Sequence, residues 1–327
     1  MTVLITGGAG FIAATLVQRL LDRGEVVLAI DNLCRGSVAN LPSFGKRSQL
    51  LFAKADLADL AAFRSAIAAH RHLGRIDAVW HLAANSDIPA GIADASLDLR
   101  DTFMTTYNTL RVMEENGIRK LLFASSSAIY GDLGETALSE ETGPLFPISN
   151  YGAMKLASEA AITAAAEKFL DRALIFRFPN VVGVPATHGV ILDFVRRLRC
   201  QPDRLDVFGD GTQRKSYLHV SDLVDAVLLV ASHASRKVDV FNIGPVDDGI
   251  TVRQIATETV AAAAPGATVS FGSGNKGWIG DVPSFRYSVA KLKELGWQPR
   301  LDSVGAVRRA IAEIMRQEGG AAGDCRE

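Results

Sequence analysis

The chain's first strand-like run breaks straight into a glycine turn and then a helical pattern, an order that few folds accommodate. Val3-Leu4-Ile5-Thr6 is followed by Gly7-Gly8-Ala9-Gly10-Phe11-Ile12-Ala13 and an amphipathic segment over residues 10–23. Glycines let the backbone turn tightly and come close to a ligand, and the N–H groups opening the helix face an anion. Apolar runs at 26–31, 50–56, 78–84, 120–126 and 173–178 alternate with helical periods at 59–72, 96–116 and 151–169. Near-continuous apolar strands alternating with helices imply a parallel sheet covered on both faces.

The rhythm breaks after Pro179. Residues 180–217 are loop-rich around one basic helix at 190–200, while a helix at 221–232 and a strand at 240–244 return to the main sheet. Further helices are expected at 252–263, 288–295 and 303–317. The expectation is an α/β chain with one domain over 1–179 plus 218–244 and a second over 180–217 plus 245–318. Residues 319–327, small and polar, read as a flexible tail. A formal net charge of −1 over 327 residues speaks against a nucleic-acid or anionic-membrane surface. Cys34, Cys200 and Cys325 are scattered without metal-ligand spacing, so reduced thiols in a cytoplasmic protein and no metal site are expected. No apolar run is long enough to span a bilayer.

Asp31 ends the second strand about 20 residues after the glycine turn, where a carboxylate binds the ribose hydroxyls of an adenosine and repels a 2′-phosphate. This favours NAD over NADP. Gly7, Gly10, Phe11, Ile12, Asp31 and Asn32 are the expected contacts, with Asp56 and Leu57 toward the adenine and Ala83 beside the cofactor. Three alternatives stand beside these. Asp31 is also a turn residue, Asp56 a helix-cap candidate, and Arg35 a cation that accommodates a 2′-phosphate. His81 reads as a satisfied structural histidine.

Tyr151 and Lys155, four residues apart, share one helix face. Poising a phenol of pKa about 10 near neutrality needs roughly 4 kcal/mol. One cation about 4 Å away at an effective dielectric near 20 supplies that. Ser126, in Ser125-Ser126-Ser127-Ala128-Ile129-Tyr130, adds a hydroxyl to bridge the phenol and a substrate oxygen.

With the glycine turn, Asp31, His81-Leu82-Ala83-Ala84, the serine run and Tyr151-x-x-x-Lys155 in this order, the chain resembles the extended short-chain dehydrogenase/reductases. More narrowly it resembles the NAD-dependent sugar-nucleotide epimerase/dehydratase family. Arg177-Phe178-Pro179-Asn180, Gly209-Asp210-Gly211 and Tyr217-Leu218-His219 continue the likeness. The resemblance implies a Rossmann-type doubly wound parallel sheet with a smaller α/β substrate-binding domain, and NAD that stays bound through each cycle. It implies that Tyr151 takes a sugar hydroxyl proton, Lys155 holds nicotinamide ribose hydroxyls, and Ser126 contacts both substrate and phenol. The family's dehydratases carry Asp-Glu after the catalytic Ser/Thr; here Ser127-Ala128 brings no carboxyl for general acid–base work.

Epimerisation of a nucleotide sugar at C4 is therefore the leading expectation. A sugar-nucleotide dehydrogenase or reductase is the alternative, and a non-catalytic NAD-binding regulator a third reading. Asn180, Arg214 and Lys215 are the implied substrate contacts, Asn180 being also a turn residue; Trp278 either stacks on a base or sugar or is a packed aromatic, and Lys215 and Trp278 stand where family members carry arginines. The helices at 96–116 and 151–169 resemble those through which the family pairs as homodimers.

Overall fold

The computed structural model describes residues 1–42, 47–134, 137–274 and 286–320. Seven parallel strands form the central sheet: β1 (Thr2–Thr6), β2 (Val26–Asp31), β3 (Leu50–Lys54), β4 (Ala78–His81), β5 (Lys120–Ser126), β6 (Arg172–Phe178) and β7 (Val238–Asn242). Their order across the sheet is β7-β6-β5-β4-β1-β2-β3, and every pairing is parallel. The chain thus winds outward from β1 in both directions, and the order reverses between β1 and β4. In such sheets ligands bind at the carboxyl ends of the strands beside that switch point. The expected α/β doubly wound architecture is what the chain adopts.

The helices of this half are α1 (Phe11–Asp22), α2 (Leu60–Ala69), α3 (Ile88–Ala93), α4 (Ala95–Asp98), α5 (Thr105–Glu115) and α6 (Asn150–Lys168). One core joins Leu4, Leu28 and Val79 of the sheet to Phe63 and Ile67 of α2, Val112 and Met113 of α5, and Ile162 of α6. Each such side chain contributes about 1.5–3 kcal/mol by leaving water. The helix expected over 96–116 is present and runs unbroken through α4, a π-helical turn over Leu99–Met104, and α5. At the end of the π-helical turn Thr105 Oγ1 donates to the carbonyls of Asp101 and Thr102, at 2.9 and 3.0 Å. Such back-bonding competes with the regular ladder.

The coordinates divide into two compact units. The first holds Met1–Gly131, Glu140–Phe178 and Val227–Asn242; the second holds Asp132–Ser139, Pro179–Ala226 and Ile243–Glu327. The division falls inside α8 (Val220–His233), which follows α7 (Val190–Cys200). The second unit has its own core, in which α7, α9 (Val252–Ala263) and α11 (Ser303–Gly319) pack through Phe194, Val195, Ile255, Val307 and Ile311. The short α10 (Ala290–Glu294) precedes α11. Residues 319 and 320 end α11 as its last residue and its cap; the rest of the expected tail, with Cys325, lies outside the described residues. No described helix is long and apolar enough to cross a membrane.

Candidate active site

The glycine turn is shaped by close approach. Gly7 has φ of 64°, and a Cβ there would lie 2.9 Å from the Ala83 backbone. A Cβ on Gly8 would stand 2.6 Å from that of Ala29. The turn therefore nests between the end of β4 and the β2 strand, and only glycine fits. Gly10 caps α1 without a side-chain hydrogen bond, leaving the first turn's N–H groups to an anion.

Beside this turn lies a cleft, partly open to solvent, lined by Gly7, Gly10, Asp31, Asn32, Asp56, Leu57, Ala83 and Asp101. Seven of the expected cofactor positions thus converge on one space, while Phe11 and Ile12 open α1 at its edge. Asp31 is buried, and burial raises its carboxyl pKa against the pull of two backbone donors. Its oxygens accept from Ala9 N at 3.1 Å and Leu33 N at 2.7 Å. Asn32 Oδ1 accepts from Cys34 N at 3.0 Å, and between them Leu33 adopts φ of 63°. The turn reading of Asp31 and its cleft position are therefore both realised. A carboxylate has about four lone-pair sites, so two remain for ribose hydroxyls.

Asp56 does not cap α2. Asp59 does, accepting from Ala61 N and Ala62 N, whereas Asp56 closes its own turn onto Ala58 N at 2.9 Å and pairs with Arg100. Asn108 of α5 fixes this loop by donating to the carbonyls of Leu57 and Ala58, each at 2.9 Å. The chemistry of this lining, a helix N-terminus without a side-chain cap, a glycine cradle and a buried carboxylate, fits NAD.

Ser126, Tyr151 and Lys155 come together at the end of β5. Ser126 caps a 3₁₀ turn over Ser127–Tyr130, accepting from Ala128 N at 3.2 Å, and its side chain is near enough to the Tyr151 phenol to favour the phenolate. Ser149 caps α6 through Gly152 N at 3.1 Å. A Cβ on Gly152 would meet Ala128 O at 2.5 Å, so this glycine lets α6 settle against the serine turn. Lys155 is fully buried; its Nζ donates to Ala124 O at 2.5 Å and lies 4.7 Å from the Phe123 ring centre and 5.8 Å from that of Tyr151.

The expectation that Lys155 pulls the Tyr151 pKa toward neutrality is not met in this arrangement. Desolvation dominates at both groups, pushing the phenol up to about 12 and the ammonium down to about 7. The Ser126 side chain favours the phenolate, and the charges of Glu159 and Asp98 favour the ammonium.

Several supporting residues escaped the sequence reading. Glu159, one turn beyond Lys155, accepts from Ser125 Oγ at 2.5 Å and forms a buried two-pronged pair with Arg177, at 3.1 and 2.8 Å. Arg177 also donates to the Tyr130 hydroxyl at 2.9 Å, and Tyr130 donates to Asn242 Oδ1 at 2.7 Å. Only the (i, i+4) spacing of Lys155 and Glu159 hinted at this. Asp98 is likewise buried, held by Asn85 Nδ2 at 2.9 Å, and a Cβ on Gly91 would fall 1.9 Å from its Oδ2. His81 behaves as expected: its ring bonds Thr6 Oγ1 at 2.6 Å and Thr106 Oγ1 at 3.0 Å, and desolvation lowers its pKa to about 3. Cys34 and Cys200 form no disulfide, and no metal-ligating cluster occurs among the described residues.

Of the implied substrate contacts, Asn180, Arg214 and Lys215 lie in the second unit. Asn180 opens a strand over Asn180–Val182 that pairs with Tyr217–His219, and its amide reaches Ser216 O at 3.4 Å. Arg214 and Lys215 pair with Thr251 and Ile250, and the Arg214 guanidinium donates to Gly249 O at 3.1 Å. Asn180 thereby meets the segment carrying Arg214 and Lys215. Trp278 lies outside the described residues.

Residues 3–244 match the model of the NAD dependent epimerase/dehydratase family. The UDP-glucose 4-epimerase of Azospirillum brasilense is 28% identical over 331 residues, covering 95% of this chain and 91% of its own length. A solved UDP-galactose 4-epimerase superposes with a TM-score of 0.83 at 32% identity, covering 97% of this chain and 99% of that one. The UDP-glucose 4-epimerase of Thermus thermophilus, in complex with NAD, gives 0.84 at 29% identity, covering 98% and 100%. The glycine cradle, the Asp31 carboxylate and the Ser126–Tyr151–Lys155 cluster thus sit in a fold shared along its whole length, and the chain belongs to the NAD-dependent epimerase/dehydratase family, with NAD as its cofactor.

Proposed function

We propose that this enzyme is a nucleotide-sugar 4-epimerase acting on a UDP-hexose, with the first unit holding NAD and the second taking the nucleotide sugar. The observation that carries this reading is the gathering of Ser126, Tyr151 and buried Lys155 where α6 packs on the serine turn, next to a Ser127-Ala128 pair that offers no carboxyl for dehydration. Gly7, Gly8 and Gly10 receive the pyrophosphate, Asp31 the adenosine ribose, and Asp56-Leu57 the adenine edge. Bound NAD supplies the hydride acceptor and donor for the sugar carbon. Tyr151 would accept the proton of the C4 hydroxyl as the phenolate, a form that the positive charges of Lys155 and of bound nicotinamide would favour against desolvation, with Ser126 set between its oxygen and the substrate. Lys155 orients the ribose hydroxyls, and its ammonium offsets charge on Tyr151. The keto-sugar turns in the site, so that hydride returned from bound NAD would reach the opposite face of C4 while Tyr151 gives the proton back to the C4 oxygen. Asn180, Arg214 and Lys215 hold the nucleotide diphosphate; two neighbouring cations suit phosphate oxygens. The working form we expect is a cytoplasmic homodimer.

The test is interconversion of UDP-glucose and UDP-galactose by the purified chain without added coenzyme. We expect turnover that Tyr151→Phe lowers by about 10²–10⁴-fold, the range for losing a positioned proton-transfer group. Consumption of free NAD in step with product identifies a dehydrogenase instead, and full activity of the Phe variant removes Tyr151 from the chemistry.

A further inference from the structure

Arg35 lines the same cleft as Asp31, where a free guanidinium would welcome the 2′-phosphate of NADP. It is not free. Its Nη2 lies 2.5 Å from Asp87 Oδ2, and its Nη1 3.5 Å from Ser86 Oγ. Asp87 is itself held in place by the loop after β4. Its other oxygen caps α3 by accepting from Ala90 N at 3.0 Å, and its N–H donates to Asn85 Oδ1 at 2.9 Å. Asn85 Nδ2 in turn donates to the Asp87 carbonyl at 3.0 Å and to buried Asp98 at 2.9 Å. The nearby Arg100 is spent in the same manner, on Asp56 and on Asp101 at 3.2 Å. Asp31, Asp56 and Asp101 line the cleft as carboxylates, and the arginines beside it already face carboxylates of their own.

From this arrangement we infer that Asp87 is a specificity-determining residue: by clasping Arg35 it withholds the cation that a 2′-phosphorylated dinucleotide requires. The inference rests on the cleft being the dinucleotide site. A 2′-phosphate carries a charge of about −1.5 to −2 and seeks forked donors. At Arg35 it would have to displace Asp87 or lie beside its carboxylate, with Asp31 facing it from β2. NAD, whose ribose presents hydroxyls there, meets no such conflict. Discrimination is thus built from two loops, with Asp31 repelling the phosphate and Asp87 occupying the one cation that the 31–36 turn carries.

Asp87→Asn tests this, because Asn retains the acceptor oxygen that caps α3 while losing the charge. The full chain is incubated with an equimolar mixture of NAD⁺ and NADP⁺, freed of unbound nucleotide and denatured, and the released dinucleotides are separated by chromatography. Wild type is expected to retain NAD. In Asp87→Asn the NADP:NAD ratio should rise at least tenfold, about 1.4 kcal/mol of differential binding. Adding Arg35→Ala to that variant should abolish the gain, a result that loss of packing alone would not give. Asp87→Ser, also a capping residue, replaces the Asn variant if that chain does not fold. An unchanged ratio in the single variant, or a gain that persists without Arg35, overturns the proposal. Release of neither dinucleotide from wild type would overturn the cofactor site itself.

Discussion

Tyr151 and Lys155 share one face of α6, yet exclusion of water moves their proton affinities apart, to about 12 and about 7. A pairwise estimate at fixed distance omits this effect, because it charges the ion pair at a surface dielectric and ignores the loss of solvent. The ammonium also spends one donor on Ala124 O, away from the phenol. Proton transfer by Tyr151 therefore leans on the Ser126 hydroxyl as well as on Lys155. His81 shows the same physics without chemistry. Buried neutral between two threonines, it has a folded pKa of about 3 against an ordinary 6.5. Between these values the unfolded chain binds a proton that the native state refuses, so stability falls as pH drops below 6.5. At pH 5 this group alone costs about 2 kcal/mol relative to pH 7. Lys155, lowered to about 7, acts mainly above that window. Urea titrations at pH 7 and pH 5 check this: His81→Gln, less stable at pH 7, should lose about 2 kcal/mol less than wild type between them. Equal losses would mean that the imidazole is protonated in the native state.

At the scale of elements, the position of the phenol depends on how closely α6 approaches the serine turn. Gly152 is the point of contact, and alanine there sets two effects against each other. Alanine favours a helix interior by about 1 kcal/mol over glycine. Its Cβ, however, would lie 2.5 Å from Ala128 O, which is backbone and cannot rotate aside. We expect Gly152→Ala to stay folded, to keep NAD, and to lose about 10²-fold in kcat, the order associated with a displacement near 1 Å. Single-turnover rates alongside retained NAD would separate this from loss of the cofactor. Neither the contact nor the π-helical turn was legible in the sequence. Parallel strands buried on both faces write themselves as apolar runs, which is why β1, β2 and β5 could be read off directly. Close approach between Gly152 and Ala128, or between Gly91 and Asp98, leaves only a glycine, a residue with many other uses. The helix over 96–116 kept its period, but Thr105 and Thr106 bond to backbone carbonyls in ways that period does not encode. Asp87 was likewise invisible, since its partner Arg35 stands 52 residues away in sequence.

For the whole molecule, the remaining question is what faces the outer surface of the helices beside the site. Leu99, in the π-helical turn, and Tyr107, in α5, are 49% and 44% exposed. Arg111 reaches over the Tyr107 ring at 6.0 Å, a contact that does little to shield it. Isolated exposed apolar residues are ordinary. These two lie eight residues apart on the stretch expected, with α6, to pair copies of the chain, and a dimer built on that stretch would cover them. A net charge of −1 also leaves little repulsion between copies. Sedimentation of the full chain at micromolar concentration should therefore give the mass of two chains. Leu99→Asp together with Tyr107→Asp should shift it toward one, because two desolvated carboxylates at the centre of a contact cost several kcal/mol. NAD retention should survive in that variant, since neither side chain lines the cleft. A wild-type chain that sediments as a monomer at these concentrations would leave the two residues as plain surface and the site complete within one copy.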